Sequence, residues 1–192
     1  MLYLLFPAQH FMPAHNLSLP SPWVERFAPL VPVGGRVLDV ACGFGRHARL
    51  FAARGCRVEA VDRDAEAIAT LKDATNISAR QVDLEAAAWP FAEGEFDAIV
   101  VTNYLHRPLF EHLLIALNGS GVLIYETFMA GNERFGRPSS AEFLLQPGEL
   151  LALCAGQLDV VAFEHGYVDF PKPAMLQRLA AVRPGFSGQR SI

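Results

Sequence analysis

Arg36-Val37-Leu38-Asp39-Val40-Ala41-Cys42-Gly43-Phe44-Gly45 decides the fold. Its first five residues form a short branched, apolar run interrupted only by Asp39, which reads as a buried strand. Ala41 to Gly45 then supplies a tight glycine turn, and Arg46 to Arg54 has helical composition that stops at Gly55. Strand, glycine turn and helix in that order place the turn at a strand's carboxyl end. Glycines there let backbone N–H groups approach a ligand closely.

The same rhythm extends in both directions. Upstream, Ser21-Pro22 is a cap followed by proline at the first helical position, with Trp23, Phe27 and Leu30 at helical spacing. Downstream, the pattern predicts strand Arg57 to Val61, a helix from Ala65 to about Ala74 capped by Asp64, and strand Ala79 to Val82. Strand Phe96 to Thr102, helix Leu109 to Asn118 and strand Gly121 to Tyr125 follow. Strands alternating with helices at this spacing need right-handed crossovers between parallel neighbours, which gives a doubly wound α/β sheet. Thr127 to Gln146 breaks the rhythm as a long Gly, Asn, Arg, Ser and Pro-rich segment, and segments of this length are usually functional. A helix starting near Pro147, an alternating strand around Leu158 to Glu164 and a final strand around Met175 to Arg183 close the chain as a hairpin on the sheet edge.

Composition bounds the rest. At 192 residues with 52% apolar and 19% charged residues, the chain suits one domain with strands buried on both faces and excludes a disordered chain. A net charge of -4 without a Lys/Arg run argues against nucleic acid held by broad phosphate neutralisation. The three cysteines, Cys42, Cys56 and Cys154, are scattered without a C-x-x-C and read as reduced. The apolar opening Met1 to Phe6 is short, broken by Pro7 and not preceded by a basic residue, so no export signal and no membrane span are expected. The expectation is a soluble, cytoplasmic monomer or homodimer. Residues 1–20, with Pro7, Pro13 and Pro20, are expected to lie as an ordered strap or lid carrying His10 and His15. The histidines show no ligand spacing, so no metal site is expected.

The chemistry converges on the turn. Asp62 ends the second strand, where a carboxylate accepts both hydroxyls of a ribose, and Asp83 ends the third, placed for an adenine amino group. Taken singly, Asp39, Asp62 or Asp83 is equally a helix cap or turn residue. Together with the glycine turn, they describe one nucleoside-sized crevice.

Val37 to Gly45 resembles the first motif of the class I S-adenosylmethionine-dependent methyltransferases. Val61-Asp62-Arg63-Asp64 resembles their ribose motif, and Val82-Asp83-Leu84 their adenine motif. Pro147-Gly148-Glu149-Leu150 and the closing hairpin from His165-Gly166 to Arg183 are similar to the small tellurite-resistance-type members. The resemblance covers most of residues 35–183 and implies a Rossmann-like seven-stranded sheet whose C-terminal strand is antiparallel; with one domain's worth of chain, residues 1–192 are expected to form a single methyltransferase domain. It implies S-adenosylmethionine as cofactor, with Asp39 near the methionine amino group and Gly43 and Gly45 admitting the cofactor. Asp62 and Arg63 would serve the ribose, Asp83 and Leu84 the adenine, and Asn103 the methionine moiety. Ala41 stands where many members have a glycine.

Two other readings of the turn remain open. Gly43-x-Gly45-x-x-Ala48, with Asp62 about twenty residues on, also satisfies a dinucleotide fingerprint and would suit an NAD(P)-dependent oxidoreductase. Against it, Asp39 would repel a pyrophosphate and attract a methionine ammonium. A protein that binds S-adenosylmethionine without catalysis is the third reading.

Acceptor residues are expected in the strap, in Asn103 to Arg107 and in Thr127 to Arg137. His106 is a candidate general base or nucleophile-orienting group, and equally a helix-start residue. Glu126 suits a cationic or hydroxylated substrate or a structural ion pair. Arg134 and Arg137 are candidates to clamp an anion. Strand four ends Thr102-Asn103-Tyr104-Leu105, without the Asn/Asp-Pro-Pro-aromatic run of enzymes that methylate amino groups of bases, and no Pro-Cys nucleophile is present. A small-molecule acceptor is expected: a thiol, a metalloid or chalcogen species, or a small metabolite hydroxyl or carboxylate.

Overall fold

A computed structural model describes residues 19–188. The strap expected over residues 1–20, with His10 and His15, lies outside the described residues apart from Leu19 and Pro20. The sheet has seven strands in the order β3-β2-β1-β4-β5-β7-β6. β1 (Arg36–Val40), β2 (Arg57–Asp62), β3 (Ile77–Gln81), β4 (Phe96–Thr102) and β5 (Leu117–Phe128) are parallel. β7 (Ala174–Val182) pairs antiparallel with both β5 and β6 (Asp159–Val168). The doubly wound sheet with an antiparallel final strand is as the sequence predicts.

Each central strand is apolar on both faces because helices cover both. Leu38, Val40, Ile99, Val101, Leu123 and Tyr125 pack on one side, and Val37, Ala98, Val100, Val122 and Ile124 on the other. Asp39, also on the second side, is the polar exception there. That second layer includes α1 (Pro22–Phe27) and α2 (Arg46–Ala53), whose Trp23, Val24, Phe27 and Phe51 are buried. Burying each of these side chains contributes about 1.5–3 kcal/mol. Ser21 caps α1 by accepting the Trp23 N–H at 3.1 Å, and the Trp23 indole N–H donates to the Leu179 carbonyl at 3.1 Å. The first helix is thereby fixed to β7, far away in sequence.

Several boundaries differ from the sequence reading. α3 ends early (Ala65–Ala69), although Asp64 caps it as expected by accepting from the Glu66 and Ala67 N–H groups. α4 (Phe110–Ala116) stops before Leu117, whose extended backbone already begins β5. Thr127 and Phe128 are therefore strand residues paired to β7, not the start of a loop. The segment that follows is tethered through the Met129–Leu145 bridge, then leads to α5 (Glu149–Cys154).

Arg107 supplies the second tether of that segment. Its Nε and Nη2 donate to the two carboxylate oxygens of Glu149 at 2.6 and 2.9 Å, while Nη1 and Nη2 also donate to the carbonyls of Glu142 and Leu144. A planar guanidinium in fork geometry suits this work. Within the segment expected to supply acceptor groups, Arg107 thus acts as a staple.

Candidate cofactor cleft and acceptor cavity

The sheet reverses its strand order between β1 and β4, and ligands in such sheets bind outside the carboxyl ends at that point. The turn after β1 stands there. Ala41 and Gly43 both adopt φ +52°, and Gly45 adopts φ +77°. A Cβ added to Gly43 would meet nothing within 4 Å, so that glycine faces open space. At Gly45 a Cβ would lie 2.5 Å from Leu71 Cδ2, so its missing side chain makes room for the core. Ala41 carries a Cβ in the left-handed region, where a non-glycine residue costs about 1–2 kcal/mol.

Asp62 binds the turn directly. Its Oδ2 accepts the Gly43 N–H at 2.8 Å and its Oδ1 accepts the Asp64 N–H at 2.9 Å. A carboxylate has about four lone-pair sites, so each oxygen keeps capacity for one hydroxyl. Asp39 lies beneath the turn, 1% exposed, with Oδ2 accepting the Ala48 N–H at 2.9 Å. Its other oxygen, Oδ1, is buried without a partner. Burial pushes the carboxyl up to about 7, against the opposing pull of the Ala48 N–H and the Arg46 charge.

A cavity of about 390 Å³ runs from the turn along the strand ends, lined among others by Ala41, Asp62, Arg63, Asp83, Leu84 and Asn103. Asp83 is exposed there, with Oδ1 accepting the Glu85 N–H at 3.0 Å. Tyr104, which the sequence reading did not single out, lines the same cavity; burial, then the Glu85 carboxylate, raises its hydroxyl pKa. Asn103 has φ +56° and donates its N–H to the Glu126 carbonyl at 2.9 Å. Its exposed side chain also lines a second cavity.

That second cavity, about 440 Å³, opens between the start of α1, the end of β5 and the β6–β7 connection. Glu126 is on its wall, buried, and accepts from Arg178 Nε at 2.6 Å. Arg46 reaches it from the first turn of α2, and Arg137 and Lys172 from the loops. Of the expected acceptor loop only Arg137, together with Phe128 at its strand end, contributes; Val168, Phe170, Lys172 and Leu176 of the closing hairpin, which the sequence reading did not assign to the site, add a further part of the wall. Arg134 lines neither cavity: its Nε donates to the Gly131 carbonyl at 3.3 Å, and its guanidinium covers the Phe135 ring. His106 also lines neither, standing at the start of the short 3-10 turn Arg107–Leu109.

A methyltransferase-domain family model matches residues 37–117, the segment containing the turn and the acids Asp39, Asp62 and Asp83. The chain is 30% identical over 188 residues to a ubiquinone biosynthesis O-methyltransferase from Thiobacillus denitrificans, covering 91% of this chain and 74% of that protein. The chain belongs to the class I S-adenosylmethionine-dependent methyltransferases. The fold of this methyltransferase is shared with TehB from Haemophilus influenzae (TM-score 0.69, 20% identity), a match covering 84% of this chain and 61% of TehB, so the chain spans less than two thirds of that protein's length. It is also shared with an S-adenosylmethionine-dependent methyltransferase from Mesorhizobium loti (TM-score 0.66, 20% identity), covering 84% of this chain and 96% of that one.

The cofactor is S-adenosylmethionine, and the residues present fit it. The orphaned Asp39 Oδ1 offers an acceptor to a cation, the open side of Gly43 leaves room for a ligand backbone, and Asp62 keeps lone pairs for two hydroxyls. The dinucleotide reading gives way to the methyltransferase-domain match over residues 37–117 and the O-methyltransferase relative.

Proposed function

We propose that this methyltransferase acts on a small-molecule acceptor, with residues 1–192 working as a single catalytic domain in the cytoplasm. One observation carries the reading: Asn103 lines both the cofactor cleft and the adjoining cavity, whose volume of about 440 Å³ is that of a small-molecule site. A net charge of -4 without a basic stripe, and free, buried cysteines, support the absence of a nucleic-acid partner and the cytoplasmic setting. Monomer and homodimer are both compatible with the reading.

When bound, the cofactor supplies a methyl group already activated on a positively charged sulfur. In this reading Asp39 holds the methionine amino group, Asp62 with Arg63 the ribose, and Asp83 with Leu84 the adenine. Asn103, at the junction, orients the methionine end toward the acceptor. Work of this kind is proximity, alignment and exclusion of water, for which a strong base is optional. Glu126, fixed by Arg178, presents a carboxylate from the acceptor side to a donor hydroxyl. The O-methyltransferase relative favours an oxygen acceptor over a thiol or a metalloid.

Release of S-adenosylhomocysteine across thiols, tellurite, selenite, small acids and phenols, beside total RNA and protein extracts, tests the reading. Turnover of a small acceptor is expected, with His106→Ala and Arg134→Ala close to wild type because neither side chain lines the cleft or the adjoining cavity. Turnover confined to RNA or protein would overturn it.

A further inference from the structure

We propose that the acceptor carries an apolar body and a separate negatively charged group, held by Arg137 and Lys172 at the mouth of the second cavity. This rests on the assignment of that cavity to the acceptor. Its apolar wall includes Phe128, Val168, Phe170 and Leu176, sufficient to take up an aromatic or short aliphatic body. Its charged lining is unbalanced: Arg46, Arg137, Lys172 and Arg178 face only Glu25 and Glu126, in a chain whose overall charge is -4.

The four cations are not equally committed. Arg178 is engaged by Glu126 at 2.6 Å and by Glu164 at 3.7 Å. Arg46 donates to the Leu19 carbonyl at 3.3 Å and lies in the field of Glu126 and Asp39. Among the described residues, Arg137 makes no hydrogen bond or ion pair, and Lys172 rests with Nζ 5.7 Å from the Phe128 ring centroid without a carboxylate. Residues 1–18 contain no Asp or Glu, so no side chain of that segment can neutralise this pair. Two uncommitted cations beside an apolar wall fit one anionic group on an apolar molecule. Glu126 is buried and bonded through its carbonyl to the Asn103 N–H, whereas Arg137 and Lys172 are exposed, so an anion held by the exposed pair would leave the reacting oxygen to face the buried carboxylate. The anion therefore sets specificity and orientation without being the methylated group.

Calorimetric binding of benzoate, benzyl alcohol, benzylammonium and acetate to the full chain saturated with S-adenosylhomocysteine tests the proposal. Benzoate should bind at least about tenfold tighter than the other three, the gain of one hydrogen-bonded charge contact. Arg137→Gln and Lys172→Gln should each weaken benzoate by up to about tenfold, leave benzyl alcohol unchanged, and leave S-adenosylhomocysteine affinity unchanged. Equal binding of benzoate and benzyl alcohol, or no binding of benzoate while S-adenosylhomocysteine still binds, would overturn the anionic acceptor and leave the methyltransferase assignment intact. Failure of S-adenosylhomocysteine itself to bind would instead strike the cofactor site on which the proposal rests.

Discussion

His47 Nε2 accepts the backbone N–H of Ser21 at 3.0 Å, across 26 residues of sequence and in the buried layer beneath the cofactor turn. The other ring nitrogen meets Thr102 Oγ1 at 3.3 Å, so Nδ1 carries the proton and the ring is neutral. Burial, with the Arg46 charge adding to it, pushes the imidazole down to about 3. This histidine ties the cap of α1 to the end of β4, directly behind the turn.

His47 and Asp39 should give opposite pH dependences of stability. His47 has a folded pKa near 3 against an ordinary 6.5, so its contribution is present above pH 6.5 and is lost as pH falls toward 3. Asp39 has a folded pKa near 7 against an ordinary 3.8, so its contribution is present below pH 3.8 and is lost as pH rises through 7. Urea denaturation of Asp39→Asn should therefore show stability rising more steeply with pH between about 4 and 6.5 than in wild type. His47→Leu should show the reverse, with a loss of about 2 kcal/mol at neutral pH from the orphaned Ser21 N–H. Parallel profiles for all three proteins would contradict both assignments.

Cofactor binding should release a proton below pH 7. A methionine ammonium beside Asp39 favours its carboxylate form, so affinity for S-adenosylhomocysteine should rise with pH up to about 7 and then level off. Calorimetry in buffers of different ionisation enthalpy measures the proton count. Asp39→Asn should remove the slope, and a wild-type slope in that variant would take Asp39 out of the linkage.

Gly43 and Gly45 should separate binding from folding. Gly43→Val places its side chain in open space and should abolish cofactor binding while the fold survives at a cost of about 1–2 kcal/mol for the positive φ. Gly45→Ala carries the same backbone strain and additionally drives a Cβ into the fully buried Leu71. Its loss of stability should therefore exceed that of Gly43→Ala by roughly 1–3 kcal/mol, the usual cost of overpacking. Equal melting temperatures for the two alanine variants would contradict the packing role of Gly45.

The sheet was legible because its central strands are hydrophobic on both faces, and β1 and β4 fall where the residue pattern places them. The α4 to β5 boundary was not. Asn118 and Gly119 mark a helix end in sequence, but Leu117 already pairs with Phe96 next to an irregularity in β4, a tertiary choice that local pattern does not encode. The cleft was legible for a similar reason: the glycine turn, Asp62 and Asp83 each follow a strand, and strand ends converge in a parallel sheet. The acceptor side was not, because its wall is assembled from α1, β5 and the β6–β7 connection, which meet only after folding. His106 and Arg134 had the right chemistry in the right loops, yet Arg107 anchors the neighbouring segment and Arg134 folds back on Gly131.

The turn after β1, with Asp62, is the proposed seat of S-adenosylmethionine. Calorimetric titration of S-adenosylhomocysteine into wild type and Asp62→Ala, with NADH as a control ligand, tests it most directly. Wild type should bind S-adenosylhomocysteine but not NADH. Asp62→Ala should lose on the order of 2–3 kcal/mol of affinity, from two hydroxyl bonds to a charged group. Unchanged affinity in the variant, or binding of NADH in place of S-adenosylhomocysteine, would contradict it.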